Sequence, residues 1–356
     1  MNETEALFKE LTEAPGVPGY EGEVRAIIRR HLEPLTTIEQ DRIGSIICKK
    51  VGQGERPKIM VASHMDEIGF MVKLITKEGF IRFVPLGGWL DQVMLAQRVV
   101  IKTSQGDVYG LIGAKPPHLL PLEERKKLVE RKDMYIDIGA SSEEEVHRVG
   151  VRPGDPIVPV ADFTPLATGK TYLAKAWDDR VGCALLIQAL QSLSHDPHPG
   201  TIYGVGTVQE EVGLRGAKTS ADIVSPDVAI VLEVGVAGDV PGIEPQESPI
   251  KLGGGPVLLV YDARMIPNLK LRDLVIETAK ELDIPLQFSA VEGGATDGGM
   301  IHLHAGGVPT VVISVPTRHI HSHAGIIHRD DYDRALQLLV AVIKRLDWAT
   351  VEGLTV

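Results

Sequence analysis

Apolar positions along the chain follow two alternating rhythms, short β-branched runs and stripes at helical spacing, and their order predicts an α/β fold. Leu7, Leu11, Val24, Ile27, Ile28 and Leu32 keep helical spacing around a break at Pro15-Gly16-Val17-Pro18-Gly19, which predicts two helices joined by a loop. Residues 43–47 and 58–62 then read as strands. From about 67 to 162 the texture changes to short apolar runs punctuated by glycine turns, such as Lys77-Glu78-Gly79 and Ser104-Gln105-Gly106-Asp107. That spacing predicts a small β-barrel or sandwich, with one helix starting near Ser142, which has capping-box spacing to Glu145. Strand and helix alternation resumes afterwards. Strands are predicted over 172–176, 201–208, 228–234, 286–291 and 310–315, and helices over 181–193, 217–223, 269–282 and 331–346. The expected architecture is a mixed, mostly parallel sheet flanked by helices, formed by residues 1–66 and 162–356, with residues 67–161 inserted as a β-rich domain.

Composition narrows the function without naming it. The chain has 356 residues, 44% hydrophobic and 24% charged, which suits an ordinary globular protein rather than a disordered one. A formal net charge of -11 with no long basic run argues against nucleic acid or an anionic membrane as partner. No apolar run approaches the roughly 18 residues needed to span a bilayer. The opening Met-Asn-Glu-Thr-Glu lacks the basic and apolar regions of a signal peptide, so a cytoplasmic location is expected. Two cysteines, Cys48 and Cys183, make neither a disulfide framework nor a thiolate cage, so any metal must be held by His and carboxylates.

Candidate chemistry lies at the strand ends. The uncharged run from Thr201 to Val208 suits a strand buried on both faces, and it delivers Glu210 and Glu211 side by side. Two adjacent carboxylates at the mouth of a buried strand repel unless a cation compensates, and one could bind the ion while the other acts as a base. His64, Asp178, Glu233 and His321 stand at or just beyond other predicted strand ends, where open α/β sheets bind ligands. Each alone has a plain reading as a surface residue, a core histidine or a helix cap. Together, two His and three carboxylates suit a pair of first-row divalent ions, each with one imidazole, one terminal carboxylate and a shared bridging carboxylate.

Five stretches, SHMDEIGF at 63–70, AWDDRVG at 176–182, GTVQEEVGLRGA at 206–217, AGDVPG at 237–242 and PTRHIHS at 316–322, resemble the M42 metallo-aminopeptidases. These include glutamyl, deblocking and tetrahedral aminopeptidases. The resemblance runs over nearly the whole chain and implies a zinc-peptidase-like fold with two divalent ions, Zn²⁺ or Co²⁺. It implies that His64 and Glu233 hold one ion, that Glu211 and His321 hold the other, and that Asp178 bridges them. Asp66 would orient the His64 imidazole, and Glu210 would be the general base toward a two-metal-activated water. At the position of Glu233 the family more often has Asp. The resemblance further implies oligopeptide substrates and a dimer-forming role for the insertion, with dimers assembling into a tetrahedral dodecamer.

Several alternatives stay open on the sequence. The same ions could serve another amide hydrolase, such as a deacylase, or a non-catalytic metal-binding scaffold. Thr296 and Asp297 are candidates to line the site. Lys251, Arg264 and Arg318 could form a basic pocket for acidic side chains, while an aliphatic or broad preference fits the chain equally.

Overall fold

The computed structural model describes residues 1–194 and 196–355. Among them, eleven strands form one sheet and six others close into a barrel. The sheet's centre is parallel. Lys58–His64 lies between Thr201–Thr207 and Val228–Val236, which in turn pairs with Thr310–Arg318. These strands are buried along nearly their whole length, as β-branched runs without polar alternation require when both faces are covered. Val257–Asp262 and Gln287–Val291 extend the sheet sideways from Thr310–Arg318.

The helix Trp177–Ser192 carries most of one core. Val181 to Ile187 is buried without interruption, so the helix is apolar on every side and packs between the sheet and the outer helices. The amphipathic helices Glu3–Glu13, Gly22–Leu32 and Arg329–Arg345 cover it with Leu11, Ile28 and Leu339 among their buried faces. Arg215–Val224 covers the opposite face of the sheet through Ala217, Ala221 and Val224.

The barrel consists of Gly69–Ile75, Ile81–Leu86, Tyr135–Asp137, Gly106–Gly113, Arg98–Thr103 and Pro156–Pro159, filled by Phe70, Ile81, Ile101, Ile136 and Ile157. It leaves the sheet just after Asp66. At that junction Glu67 is 1% exposed and accepts from Lys175 Nζ at 2.6 and 2.7 Å, from Arg180 at 3.3 Å and from Gly16 N at 3.1 Å. Arg180 also donates to the carbonyls of Leu11 and Ala14. A buried carboxylate needs such compensation, and here the compensation ties the first loop to both parts of the fold.

Two local departures from the sequence pattern have clear causes. The strand expected at 43–47 is instead Ile46–Lys50, paired with Thr37–Gln40. Asp41 Oδ1 accepts from the backbone N–H of Ile43, Gly44 and Ser45, and Gly44 has φ +118°, so 41–45 is a turn. The capping box at Ser142 is half formed. Ser142 accepts from Glu145 N, but Glu145 accepts from Ser141 N.

Candidate active site

The four parallel strands at the sheet's centre release their chemistry on one side. His64 ends its strand opposite Thr207, and Glu233 pairs with Ser314 one strand further on. Asp178 follows the strand Thr171–Ala174 through Ala176, which has φ +56°, and the Asp178–Asp179 peptide is cis. Asp178 Oδ1 lies 2.9 Å from His64 Nε2, and its Oδ2 lies 3.4 Å from His321 Nε2. Each imidazole has a second carboxylate: Glu233 Oε1 at 3.8 Å from His64 and Glu211 Oε1 at 3.5 Å from His321. Asp178 thus turns one oxygen to each of two triads, His64–Asp178–Glu233 and Asp178–Glu211–His321, both able to hold an ion. Ligands about 2.0–2.1 Å from a tetrahedral ion stand roughly 3.3 Å apart, so three of these four separations suit coordination, and the 2.9 Å contact is a hydrogen-bond length.

Buried unmet demand points the same way. Among the described residues Glu211 Oε1 is buried with no hydrogen-bond partner. Burial, then the charge of Asp178, pushes the Glu211 carboxyl up to about 8. Burial also holds Glu210 and Glu233 well above the usual carboxylate range: for Glu210 it outweighs the opposing charge of His64, with Asp297 adding to it, and for Glu233 the charge of Asp178 adds to it. Asp178 is the exception. Burial opposes its charge, but hydrogen bonds from His321 and His64 prevail and hold it well below the usual range. His321 rises to about 9 despite burial, because Asp178 and Glu211 face it. The site therefore holds more carboxylate than its own imidazoles neutralise, and divalent cations fit that deficit.

Asp66 faces both the His64 ring and the turn that carries the two glutamates. Its backbone carbonyl lies 2.9 Å from His64 Nδ1, while its carboxylate stands 3.7 Å away. That carboxylate accepts from Glu210 N at 3.0 Å and Glu211 N at 3.1 Å, one oxygen each. The carbonyls of this turn are also engaged: Gly213 N and Leu214 N donate to Glu210, and Arg215 N donates to Gln209. The barrel's return loop closes the other side. A side chain at Gly88 would meet the His321 ring at 3.0 Å, and Gly87, at φ +85°, leaves room for Glu211.

These groups open onto a cavity of about 440 Å³, whose far wall is apolar: Val234, Val236, Leu259, Val291 and Ile320. Among the described residues no lysine or arginine lines it. Arg318 is paired with Asp239 at 2.6 and 2.9 Å, and Lys251 and Arg264 are exposed. Thr296 reaches the cavity, whereas Asp297 lies beneath it, 1% exposed and accepting from Thr207 Oγ1 at 2.5 Å. Two histidines that follow His321 do other work. His323 donates to the Val160 carbonyl, and His328 caps the final long helix.

Two further buried carboxylates support the site: Asp179, within the AWDDRVG stretch, and Glu21, which no ligand-type motif announces. Asp179 is fully buried, accepts from His64 N at 3.3 Å and from Gly182 N at 3.0 Å, and so sits behind the imidazole. Glu21, 2% exposed in the loop before the second helix, accepts from Gln209 N. The break at residues 15–19 signals a loop there, but the long-range contact has no local sequence signal.

A mixed, mostly parallel sheet that brings two imidazoles and five carboxylates to one cavity, interrupted by a closed barrel, defines a zinc-peptidase-like fold. The family model described as M42 glutamyl aminopeptidase matches residues 44–338, and the chain belongs to this family. It is 36% identical to the glutamyl aminopeptidase of Lactococcus lactis subsp. cremoris over 95% of each chain. It is 35% identical to the lysyl aminopeptidase of Pyrococcus furiosus over 96% of each. The solved structure of a TET aminopeptidase from a marine sediment Thaumarchaeota archaeon matches at 51% identity with a TM-score of 0.97, covering 99% of both chains. The TET1 peptidase of Pyrococcus horikoshii, described as assembling into a tetrahedron or a large octahedral shell, matches at 34% identity with a TM-score of 0.88, covering 97% of this chain and all of that one.

Proposed function

We propose that this chain is a dinuclear metallo-aminopeptidase that releases neutral, apolar residues from the N-termini of oligopeptides. The observation that carries the reading is the pair of Asp178 oxygens, each turned to a different imidazole and each completed by its own glutamate. His64 and Glu233 would hold one divalent ion, Glu211 and His321 the other, and Asp178 would join them. When bound, such ions polarise a peptide carbonyl and acidify water. Glu210 receives the proton of the attacking water as the O–C bond forms, and delivers it to the departing nitrogen as the C–N bond breaks. Asp66 holds the turn from which both glutamates rise. Acidic groups beside the ions suit a free terminal ammonium, which favours an exopeptidase.

Side-chain preference follows from the cavity rather than the family, whose named relatives include both glutamyl and lysyl enzymes. An acidic side chain would lose its water among carboxylates, with no lysine or arginine in the lining to replace it. A basic one would find Asp262 already engaged, since that carboxylate accepts from Arg264 N, Met265 N and Thr296. An apolar side chain matches Leu259, Val291 and Val236. On a panel of peptides differing in their first residue, Leu is expected to exceed Glu or Lys by at least about 10²-fold in kcat/KM, within the range open to a pocket with no polar partner for either. N-acetylated peptides should not be cut. Cleavage of the acetylated set would move the reading to a deacylase, and a preference for Glu would contradict the cavity argument.

The barrel is the proposed dimer-forming domain, and a dodecameric shell the proposed assembly. The similarity to the P. horikoshii peptidase supports it, as do Leu119, Leu122 and Leu128, exposed on the excursion between barrel strands. Sedimentation should give a large, homogeneous particle, and a fully active monomer would refute this. Among the described residues no helix is long and apolar enough to cross a membrane, and a cytoplasmic location is proposed.

A further inference from the structure

We infer that Glu21, a residue of the first loop far from the cavity in sequence, is a positioning residue for the general base Glu210. The inference rests on the aminopeptidase reading above. Glu210 does not leave its strand directly. Between Thr207 and Glu210 the chain turns through Gln209, a non-glycine residue with φ +56°. A left-handed residue with a Cβ is strained, so the turn persists only where its neighbours hold it. Three successive N–H groups are held by two buried carboxylates. Gln209 N donates to Glu21 Oε1 at 3.2 Å, and Glu210 N and Glu211 N donate to the two oxygens of Asp66. Asp66 thus secures the N–H groups of both glutamates, Glu211 included, and Glu21 secures the residue immediately before the base Glu210.

Glu21 is itself anchored. The same Oε1 accepts from Gly19 N at 2.7 Å, and its carbonyl accepts from Arg25 N at 3.0 Å as the second helix begins. The preceding loop is fixed to the helix Trp177–Ser192 and to the junction of sheet and barrel, because Arg180 donates to the carbonyls of Leu11 and Ala14, and Glu67 accepts from Gly16 N. A rigid path therefore runs from the buried Glu67–Lys175–Arg180 group through the loop to the base. It touches none of the five proposed metal ligands through the Glu21 side chain. Loss of Glu21 is thus expected to disturb proton transfer more than ion or substrate binding. Misplacing a reacting group by about 1 Å can cost on the order of 10²-fold.

The test uses two variants of the full chain, assayed with their metal ions. Glu21→Met fills the same space without an acceptor, and Glu21→Gln keeps an acceptor oxygen. The Met variant is expected to lose 10-fold to 100-fold in kcat, in keeping with that sensitivity to misplacement, with KM within about 2-fold and metal content unchanged. The Gln variant should recover most of the loss. In a Glu210→Gln background, Glu21→Met should cost little further kcat, since residues acting through one group are not additive. A Met variant with normal kcat would overturn the inference, as would one that loses metal or fold, or one whose loss persists undiminished in the Glu210→Gln background. Inactivity of the unaltered protein on every free-amine peptide would instead overturn the aminopeptidase reading.

Discussion

Glu210→Gln is expected to lower kcat about 10³-fold, inside the range attributed to a positioned general base, while leaving ion binding intact. The substitution keeps the side chain's size and one acceptor oxygen, but removes the group that takes a proton. It should not weaken the fold. In the metal-free protein, burial already holds the Glu210 carboxyl well above the usual carboxylate range, with Asp297, Glu211 and Asp66 adding to it. A neutral amide at that place relieves repulsion, so the metal-free variant should melt at or above the temperature of the parent. Turnover, metal stoichiometry and melting temperature measured on one preparation separate the possibilities. Near-normal turnover would remove the base assignment, and loss of metal would make Glu210 a ligand.

Removing the ions with a chelator is expected to abolish peptide release and to make stability fall as pH rises from about 4.5 to 8. The sign follows from the protons. Burial raises the Glu211 carboxyl from 4.5 to about 8, so through this window the folded chain keeps a proton that the unfolded chain has released. Wherever the folded state binds more protons, stability declines with pH, by about 1.4 kcal/mol per pH unit for each proton. Glu210 and Glu233, also raised, act in the same direction. His321, held up to about 9 against its usual 6.5, extends the decline into the alkaline range. Asp178 has the opposite sign, but its contribution lies below 3.8, outside the window. With cations bound, the carboxylates are already ionised and the slope should flatten. Thermal melts of chelated and metal-loaded protein between about pH 5 and 8 check this. The difference between the two curves isolates the site, and a chelated protein whose stability rises with pH would contradict it.

How much of this could be read along the chain depends on the range of each interaction. The strand ending at His64 and the one leading to Glu210 are legible because a strand buried on both faces leaves an unbroken β-branched run, and a polar residue at its end stands out. The barrel is legible because short strands and glycine turns change the period of the whole segment. The strand Val257–Asp262 escapes that logic. It follows three consecutive glycines and supplies Leu259 to the cavity wall, yet its pairing with Thr310–Arg318 is set by a partner some fifty residues away. Asp66 shows the same limit at one residue. Its spacing from His64 suggests contact with the ring, and contact there is, through the carbonyl, while the carboxylate reaches residues 144 and 145 positions later. The proposed basic pocket fails for a similar reason, because Arg318 meets Asp239, a pairing that composition does not reveal.

The central claim is that His64, Asp178, Glu211, Glu233 and His321 together hold two catalytic ions. It is tested most directly by titrating Zn²⁺ or Co²⁺ into the chelated protein while following release of the first residue from a free-amine leucyl peptide. Activity absent at the start, rising with added metal and saturating near two bound ions per chain, is the result this site requires. Full activity in the chelated protein, or two bound ions with no hydrolysis of any free-amine peptide, would contradict it.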